Sequence, residues 1–368
     1  MAESSEIISA LQLINTPGIG PSSYFKLIEE YGSEEVAVSA LLKSGKHPWS
    51  VEQAQTELST CQANDIKIIL HTDTDYPQQL KSLSDYPPLL YLKGNLETLK
   101  FNRSIAIVGS RSASVNGCKI ASHIAQELAQ QNVCIISGMA RGIDTAAHCG
   151  ALSTSGNQGS TIAILGTGID VIYPPENKQL YENIAVNGCI LSEFPLSTQG
   201  NTINFPRRNR LIAGLSQAVL VVEAGLKSGS LITADFAMKQ GKPLFAVPGT
   251  PDVSKSSGSN LLIKKGAHLA DCAQDIFPFL KAIFPGDFPK KVKPQQKVLV
   301  FANNDVNYSS NDKTDSSLVD LLTVDGVDID ELIRLTGKSA AALSAEISEL
   351  EISGIIRRLS GNRIALIK

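Results

Sequence analysis

No apolar run in these 368 residues reaches the roughly 20 that a membrane-spanning helix requires, which excludes a transmembrane role. The opening Met1-Ala2-Glu3-Ser4-Ser5-Glu6 lacks the basic n-region and apolar h-region of a secretory signal. Export is not expected, and the cytoplasm is the expected compartment. Cysteine is scarce and scattered: Cys61, Cys118, Cys134, Cys149, Cys189 and Cys272 show no paired metal-ligand spacing and no Cys-x-x-Cys. Buried free thiols are expected, and no metal site. Positive charge is not in excess either. The formal net charge of -3 excludes a protein that coats a polyanion through overall basicity, so any nucleic-acid site has to be local.

What is present is an ordinary globular composition, 43% hydrophobic and 19% charged, in a chain too long for one core. Residues 1–75 read as a helical domain of SAM-like or helix-hairpin-helix type. Ile7, Ile8, Leu11 and Ile14 recur at helical spacing before the breaker Thr16-Pro17-Gly18-Ile19-Gly20-Pro21, and a second helix follows from Ser22 to Tyr31. Pro-Gly-Ile-Gly between helices lets backbone N–H groups approach a phosphate; the same pattern also serves as an ordinary tight turn, and only Lys26 adds positive charge nearby. A Pro- and Tyr-rich connector, Tyr76 to Gly94, leads into an α/β domain over 76–285. Residues 286–312 overlap the Lys-rich Pro289 to Lys297 and the polar run from Asn303, and read as a linker. In 313–368, helices over Ser317–Leu322, Asp328–Leu335 and Ser339–Ile352 precede a hairpin, Ile355–Leu359 and Ile364–Ile367, which predicts a winged helix.

The α/β domain alternates short apolar strands with amphipathic helices. Strands are predicted at Ile105–Val108, Val133–Ile136, Thr161–Leu165, Cys189–Leu191, Ala218–Val222 and Leu244–Val247, with Ile120, Ile124 and Leu128 on one face of the first intervening helix. This alternation predicts an extended Rossmann-like parallel sheet covered by helices on both faces. In such sheets ligands bind beyond the carboxyl ends of the strands.

The loops at those ends carry the candidate chemistry. After the first strand, Gly109-Ser110-Arg111 leads into a helix whose amides form an anion site, with Arg111 able to grip phosphate; a capping loop with a solvated Arg is the alternative. Only Gly109 and Gly117 occur there, and no acidic residue ends the second strand, so the dinucleotide fingerprint is missing and NAD is disfavoured. No cofactor is expected. The second strand ends in Ser137-Gly138-Met139-Ala140-Arg141-Gly142-Ile143-Asp144, and Gly166-Thr167-Gly168 and Tyr173-Pro174-Pro175 close the third. Asp144 and His148, one helical turn apart, read as a hydrogen-bonded pair that fixes loop geometry rather than as an acid and base, since no nucleophile or metal cluster adjoins them.

Phe205-Pro206-Arg207-Arg208-Asn209-Arg210 gathers three guanidiniums, an amide and an aromatic within six residues. Between 200 and 245 six basic residues face only Glu223 and Asp235, so the basicity is concentrated here. Such a set holds phosphates by charge while Phe205 offers a face to an unstacked base. Arg208 and Arg210 can instead pair internally with Glu193 or Glu223, and a mixture of structural and binding arginines is expected. Leu211, Ile212 and Leu215 would lie on the buried face of a helix from Arg207. Ser228-Gly229-Ser230, opening a helix that runs through Thr233, is a further anion cradle.

Together with Ser192-Glu193, Val222-Glu223-Ala224, Ser228 to Ala234 and Val247-Pro248-Gly249, and preceded by Tyr76-Pro77 and Pro87 to Tyr91, these motifs occur in order across about 75 to 270. The pattern resembles the bacterial DNA-processing protein DprA (Smf) family. The resemblance implies an extended Rossmann domain that binds single-stranded DNA, protects incoming transforming DNA and loads the RecA recombinase, without known catalysis. It also implies a homodimer formed through this domain, and it carries the family's DNA-contacting arginine to Arg111 and its basic segment to Phe205 through Arg210.

A nucleotide-binding enzyme of hydrolase type is the competing reading, because glycine loops on such sheets also bind mononucleotides. Glu223, at a strand end near Ser228 to Ser230, is then the suspected base, although no Gly-x-x-x-x-Gly-Lys-Ser/Thr phosphate loop is present. A sequence-specific regulator would rest on the winged helix alone. The presumptive recognition helix there carries Glu346, Glu349 and Glu351 and no Lys or Arg, which opposes entry into a phosphate-lined groove. A protein-contact or regulatory role is expected, with Arg357, Arg358 and Arg363 as the candidate DNA contacts.

Overall fold

A computed structural model describes residues 4–154, 161–251 and 253–280, together with short stretches between 327 and 366. The chain divides near residue 300 into two units. In the first, nine strands form one sheet in the order β1-β2-β6-β5-β4-β3-β7-β8-β9. β3 (Ser104–Val108), β4 (Cys134–Ser137), β5 (Thr161–Ile164), β6 (Cys189–Ser192), β7 (Ala218–Val221), β8 (Leu244–Ala246) and β9 (His268–Leu269) are parallel. β1 (Ile66–Leu70) and β2 (Leu89–Gly94) extend this Rossmann-like sheet antiparallel at one edge.

The central strands are Ile/Val/Ala-rich and buried along their whole length, as expected where helices cover both faces. α5 (Val115–Gln130) starts at Ser114, whose Oγ accepts from the Gly117 N–H at 2.9 Å, and it buries Ala121, Ile124, Ala125 and Leu128. That stripe meets Ile105, Ile107 and Ile135 of the sheet and Ala147 and Ala151 of α6 (Ile143–Leu152). Each fully buried Ile or Leu contributes about 1.5–3 kcal/mol, so this cluster is a main anchor of the domain. The chain passes from β3 through α5 to β4 on one side and later lays β7 on the other side of β3. The loops after β3 and β7 therefore diverge at a topological switch point, the place where open sheets of this kind bind ligands.

The segment read from sequence as wholly helical contains α1 (Ser4–Ile14), α2 (Pro21–Tyr31), α3 (Glu34–Lys43) and α4 (Val51–Ala63), but ends in β1. Leu11, Ala54 and Cys61 share a core with Ile66, Leu89 and Tyr91, so α1 and α4 pack on the sheet, while α2 and α3 close a second core with α1 around Leu13, Tyr24 and Leu41. The Pro- and Tyr-rich connector holds β2, whose backbone groups pair with both β1 and β6. All six cysteines are free, yet Cys149 is exposed, against the expectation of uniform burial.

In the second unit, β10 (Val327–Asp328), β12 (Arg363–Leu366) and β11 (Ile356–Leu359) form a small antiparallel sheet over a core of Leu332, Leu343, Ile347, Ile356 and Ile364. This is a winged helix. Asp328, expected to open a helix, instead ends β10, which pairs with β12. The expected linker at 286–312 and the expected helix Ser317–Leu322 lie outside the described residues. Among the described residues, no helix is long and apolar enough to cross a membrane.

Candidate nucleic-acid interface

The loop after β3 is fixed from two sides. The Ser110 N–H donates to the Glu223 carbonyl at 2.6 Å, and the Glu223 carboxylate accepts from the Ser114 N–H and, at 2.7 Å, from the Ser114 hydroxyl. Glu223, considered as a catalytic base, is thus the buried latch that ties the β7 loop to the β3 loop. On the other side Gly142, at φ 74°, starts α6 so close to this loop that a Cβ there would lie 2.3 Å from the Ser110 carbonyl oxygen. A side chain at 142 would push the loop away and strain its own backbone.

Held this way, Arg111 is exposed and its guanidinium lies 4.9 Å from the centroid of the Phe205 ring. Phe205 opens α8 (Asn204–Leu215) and rests on Gly166 and Gly200, where any Cβ would fall within 2.7 Å and 2.9 Å of the ring. Tyr173 lies beside it with centroids 5.3 Å apart. Two segments distant in sequence, the Gly-Ser-Arg loop and the Arg-rich helix start, are thereby joined through a cation–π contact.

The three arginines of α8 separate by depth. Arg207 is half-buried, lies 5.2 Å from the centroid of Phe194 and donates to Glu193 at 3.0 Å. Arg208 is only 3% exposed. Its Nη1 donates to the Gly138 carbonyl at 2.5 Å and to the Ile164 carbonyl, capping the ends of β4 and β5 from below. Burial lowers its pKa to about 10 while Asp144 opposes that shift, so it stays charged at neutral pH. Arg210, also 3% exposed, donates to Glu193 at 2.5 Å, and its Nε lies 3.2 Å from Asp85. Burial raises the Glu193 carboxyl and the two arginines pull it back down.

Several expected phosphate contacts are therefore corrected. Arg208 and Arg210 are internal, because α8 packs nearly all round and their guanidiniums already have partners. Arg210 does pair with Glu193 as considered, but Arg208 meets neither Glu193 nor Glu223; its charge partner is Asp144. Ser137 is buried and donates to the Ile107 carbonyl, and Thr233 is buried in α9 (Ser230–Lys239). Gly138 is buried against the Arg208 guanidinium, and Gly166 against Phe205. Ser230 is buried with its hydroxyl 2.8 Å from that of Ser228, which leaves Ser228 and Gly229 as the accessible part of that turn. Asn209 links it to α8 by donating to the Gly229 carbonyl at 3.3 Å. Arg141 is exposed and paired with Glu176. Gly109 packs against Ile143 and the Glu223 backbone.

Asp144 and His148 do not pair as expected. Asp144 accepts from the Ala140 N–H, whereas His148 Nδ1 lies 2.7 Å from the Thr161 hydroxyl. The Asp144 carboxyl is raised by burial, with Arg208 acting against the shift. Among the described residues, only Asp271, Cys272 and Asp275 cluster closely enough to share a metal ion, and Asp275 already accepts from the Asp271 N–H and the Cys272 thiol. That group is a capped surface turn.

The family model for DNA recombination-mediator protein A matches residues 67–281, more than half the chain. The chain belongs to that family. The DprA-like N-terminal HHH domain matches 4–60 and the DprA winged helix domain matches 306–362, so all three parts belong to one architecture. The DNA processing protein DprA of Streptococcus pneumoniae is 46% identical over 204 residues, covering 55% of this chain and 71% of that protein. Protein Smf of Synechocystis is 34% identical over 317 residues, covering 79% and 78%. Among solved structures, DprA from S. pneumoniae superposes with a TM-score of 0.66 at 33% identity, covering 77% of this chain and 99% of that one. DNA processing protein A from Helicobacter pylori, described for its single-stranded DNA binding mode, gives 0.53 at 33% identity and covers 58% and 94%.

Two rim groups of this family member stand outside the segments expected to contact the strand. Lys255 is exposed and donates to the Ser112 carbonyl at 2.7 Å, bringing a second cation to the Arg111 loop from a distant segment. Tyr173 is exposed beside Phe205, although its neighbours in sequence look like a plain loop closure. For Arg208 a signal did exist: it lies three and four residues before Leu211 and Ile212, on the stripe already expected to be buried.

Proposed function

We propose that the chain binds single-stranded DNA across the carboxyl rim of its parallel sheet, protects it, and loads the RecA recombinase onto it during natural transformation. The Arg111–Phe205 contact at the switch point carries this reading, because it brings a phosphate-gripping cation on the loop after β3 against an aromatic at the start of α8. Ser110, Arg111, Arg141, Phe205, Arg207, Asn209, Ser228 and Gly229 are the proposed contact residues. Gly109, Ser137, Gly138, Gly166, Arg208, Arg210, Ser230 and Thr233 support them from beneath. The H. pylori relative described for single-stranded DNA binding supports the choice of ligand.

The proposed role needs no chemical step, and Glu223, the carboxylate a nucleotide hydrolase would use, is engaged by Ser114. We place the activity in the cytoplasm, in a homodimer formed through the sheet domain, with the winged helix contacting protein rather than duplex. Oligo(dT) and a duplex of equal length, titrated over a salt series, test the ligand. Preference for the single strand, with nuclease protection, is expected; equal or stronger duplex binding refutes the reading. Faster RecA nucleation on a strand already coated by a single-strand binding protein tests the loading step, and an unchanged rate refutes it.

A further inference from the structure

Arg141 lies on the loop after β4, and two residues on the Ile143 N–H donates to the Ser110 carbonyl at 3.3 Å, so Arg141 stands beside the Arg111 loop. Its guanidinium is paired with the carboxylate of Glu176. Arg207 is paired as well, but in the opposite way. Its partner Glu193 has a side chain only 1% exposed and also holds Arg210, so that carboxylate is a fixed part of the fold. Arg141 and Glu176 are 58% and 47% exposed, so their pair stands in water. We infer that Glu176 is a built-in competitor for the phosphate that Arg141 takes: the guanidinium rests on this carboxylate in the free protein and passes to the strand on binding. The inference rests on the single-strand reading above, and it names a residue that sets how tightly the strand is held and how readily it leaves.

The backbone holds the two partners face to face. Glu176 is the middle residue of a short turn of 3-10 helix, Pro175–Asn177, that leads into α7 (Lys178–Asn187). Its neighbour Asn177 is buried, and the Asn177 amide donates to the Met139 carbonyl at 2.8 Å and to the Thr145 hydroxyl at 2.9 Å. Thr145 Oγ1 in turn donates to the Ala140 carbonyl at 2.8 Å. The chain on either side of the ion pair is therefore tied together, and only side-chain torsions remain free. An exposed pair contributes little, because water solvates both partners and salt screens them. A phosphate can take the same guanidinium through two parallel N–H···O bonds, so the exchange runs toward the strand. It leaves the Glu176 carboxylate as an uncompensated negative charge beside the phosphate, which repels it. The strand is thus held less tightly than the rim cations alone would hold it, which suits a protein that hands its strand on. Glu193 cannot exchange in this way, since releasing it would strand the buried Arg210 charge.

The test uses the full-length protein with Glu176→Gln, Arg141→Ala and the two combined, titrated with oligo(dT) over a salt series. Glu182→Gln, on an exposed carboxylate of α7, controls for loss of negative charge in general. Glu176→Gln is expected to tighten oligo(dT) binding by about threefold at low salt, with slower dissociation, and the gain should shrink as salt rises. Arg141→Ala should weaken binding. In the Arg141→Ala background, Glu176→Gln should change affinity by less than about 1.5-fold, as should Glu182→Gln alone, because the gain belongs to the pair. Unchanged or weaker binding by Glu176→Gln, an equal gain without Arg141 or from Glu182→Gln, or wild-type affinity of Arg141→Ala overturns the inference and leaves the single-strand reading standing. A wild type that fails to bind oligo(dT) sinks both.

Discussion

The Arg210 guanidinium lies 2.5 Å from a carboxylate oxygen of Glu193, with the two side chains only 4% and 1% exposed. The same oxygen also accepts from Arg207 at 3.0 Å. Glu193 directly follows β6, so this pair ties α8 to the sheet beneath the proposed interface. Removing one partner of a buried pair strands the other charge and costs about 3–5 kcal/mol. Arg210→Ala is therefore expected to lower unfolding stability by that amount in urea, whereas Arg111→Ala, on an exposed side chain, should stay within about 0.5 kcal/mol of wild type. Equal stability of the two variants would contradict the division of the arginines into buried and rim groups.

Glu223 offers a second separation. Its carboxylate holds the Ser114 N–H and hydroxyl, so Glu223→Ala leaves part-buried donors without this partner, at a cost of about 1 kcal/mol. The freed 110–114 loop should then bind oligo(dT) more weakly. Unchanged melting and unchanged affinity together would remove Glu223 from its role as a latch.

His148 sets an acid limit. Thr161 Oγ1 donates to the Ile135 carbonyl, so His148 Nδ1–H must donate to Thr161, leaving Nε2 buried without a partner among the described residues. Burial lowers the His148 pKa to about 3, and the Arg208 charge adds to the shift. Below its ordinary pKa of about 6.5 the unfolded chain takes up a proton that the folded chain refuses, so stability present above that pH is lost as pH falls toward 3. Between pH 6.5 and 5 the loss is about 2 kcal/mol. The raised carboxyls of Asp144 and Glu193 act in the opposite sense, so the measurement is the difference between wild type and His148→Gln. Identical pH dependence of their urea midpoints would contradict this account of His148.

Much of this arrangement can be read from the sequence, because the strands β3 to β8 are short apolar runs separated by helices of clear period, and their glycine-rich ends mark the loops. β1 and β2 are less legible, since β2 joins the sheet through β6, about 100 residues further along the chain, and β1 through β2, which local pattern does not encode. In the site, Arg111 and Phe205 each stand out by residue type, but their contact is non-local. Tyr173 and Lys255 are brought to the rim only by the crossing of distant loops.

The winged helix should contribute little to single-strand affinity, given an expected recognition helix with three glutamates and no basic residue. Deleting residues 310–368 is expected to change oligo(dT) affinity by less than about tenfold, or about 1.4 kcal/mol. A larger loss would assign the C-terminal unit a direct DNA contact.

Arg111 tests the central claim most directly. Oligo(dT) affinity is measured for wild type and Arg111→Ala across a salt series, with unfolding stability as the control. The predicted result is weaker binding, a salt slope shallower by about 0.7 for the lost phosphate contact, and unchanged stability. Wild-type affinity and slope in the variant would contradict the assignment of the strand to the Arg111–Phe205 rim.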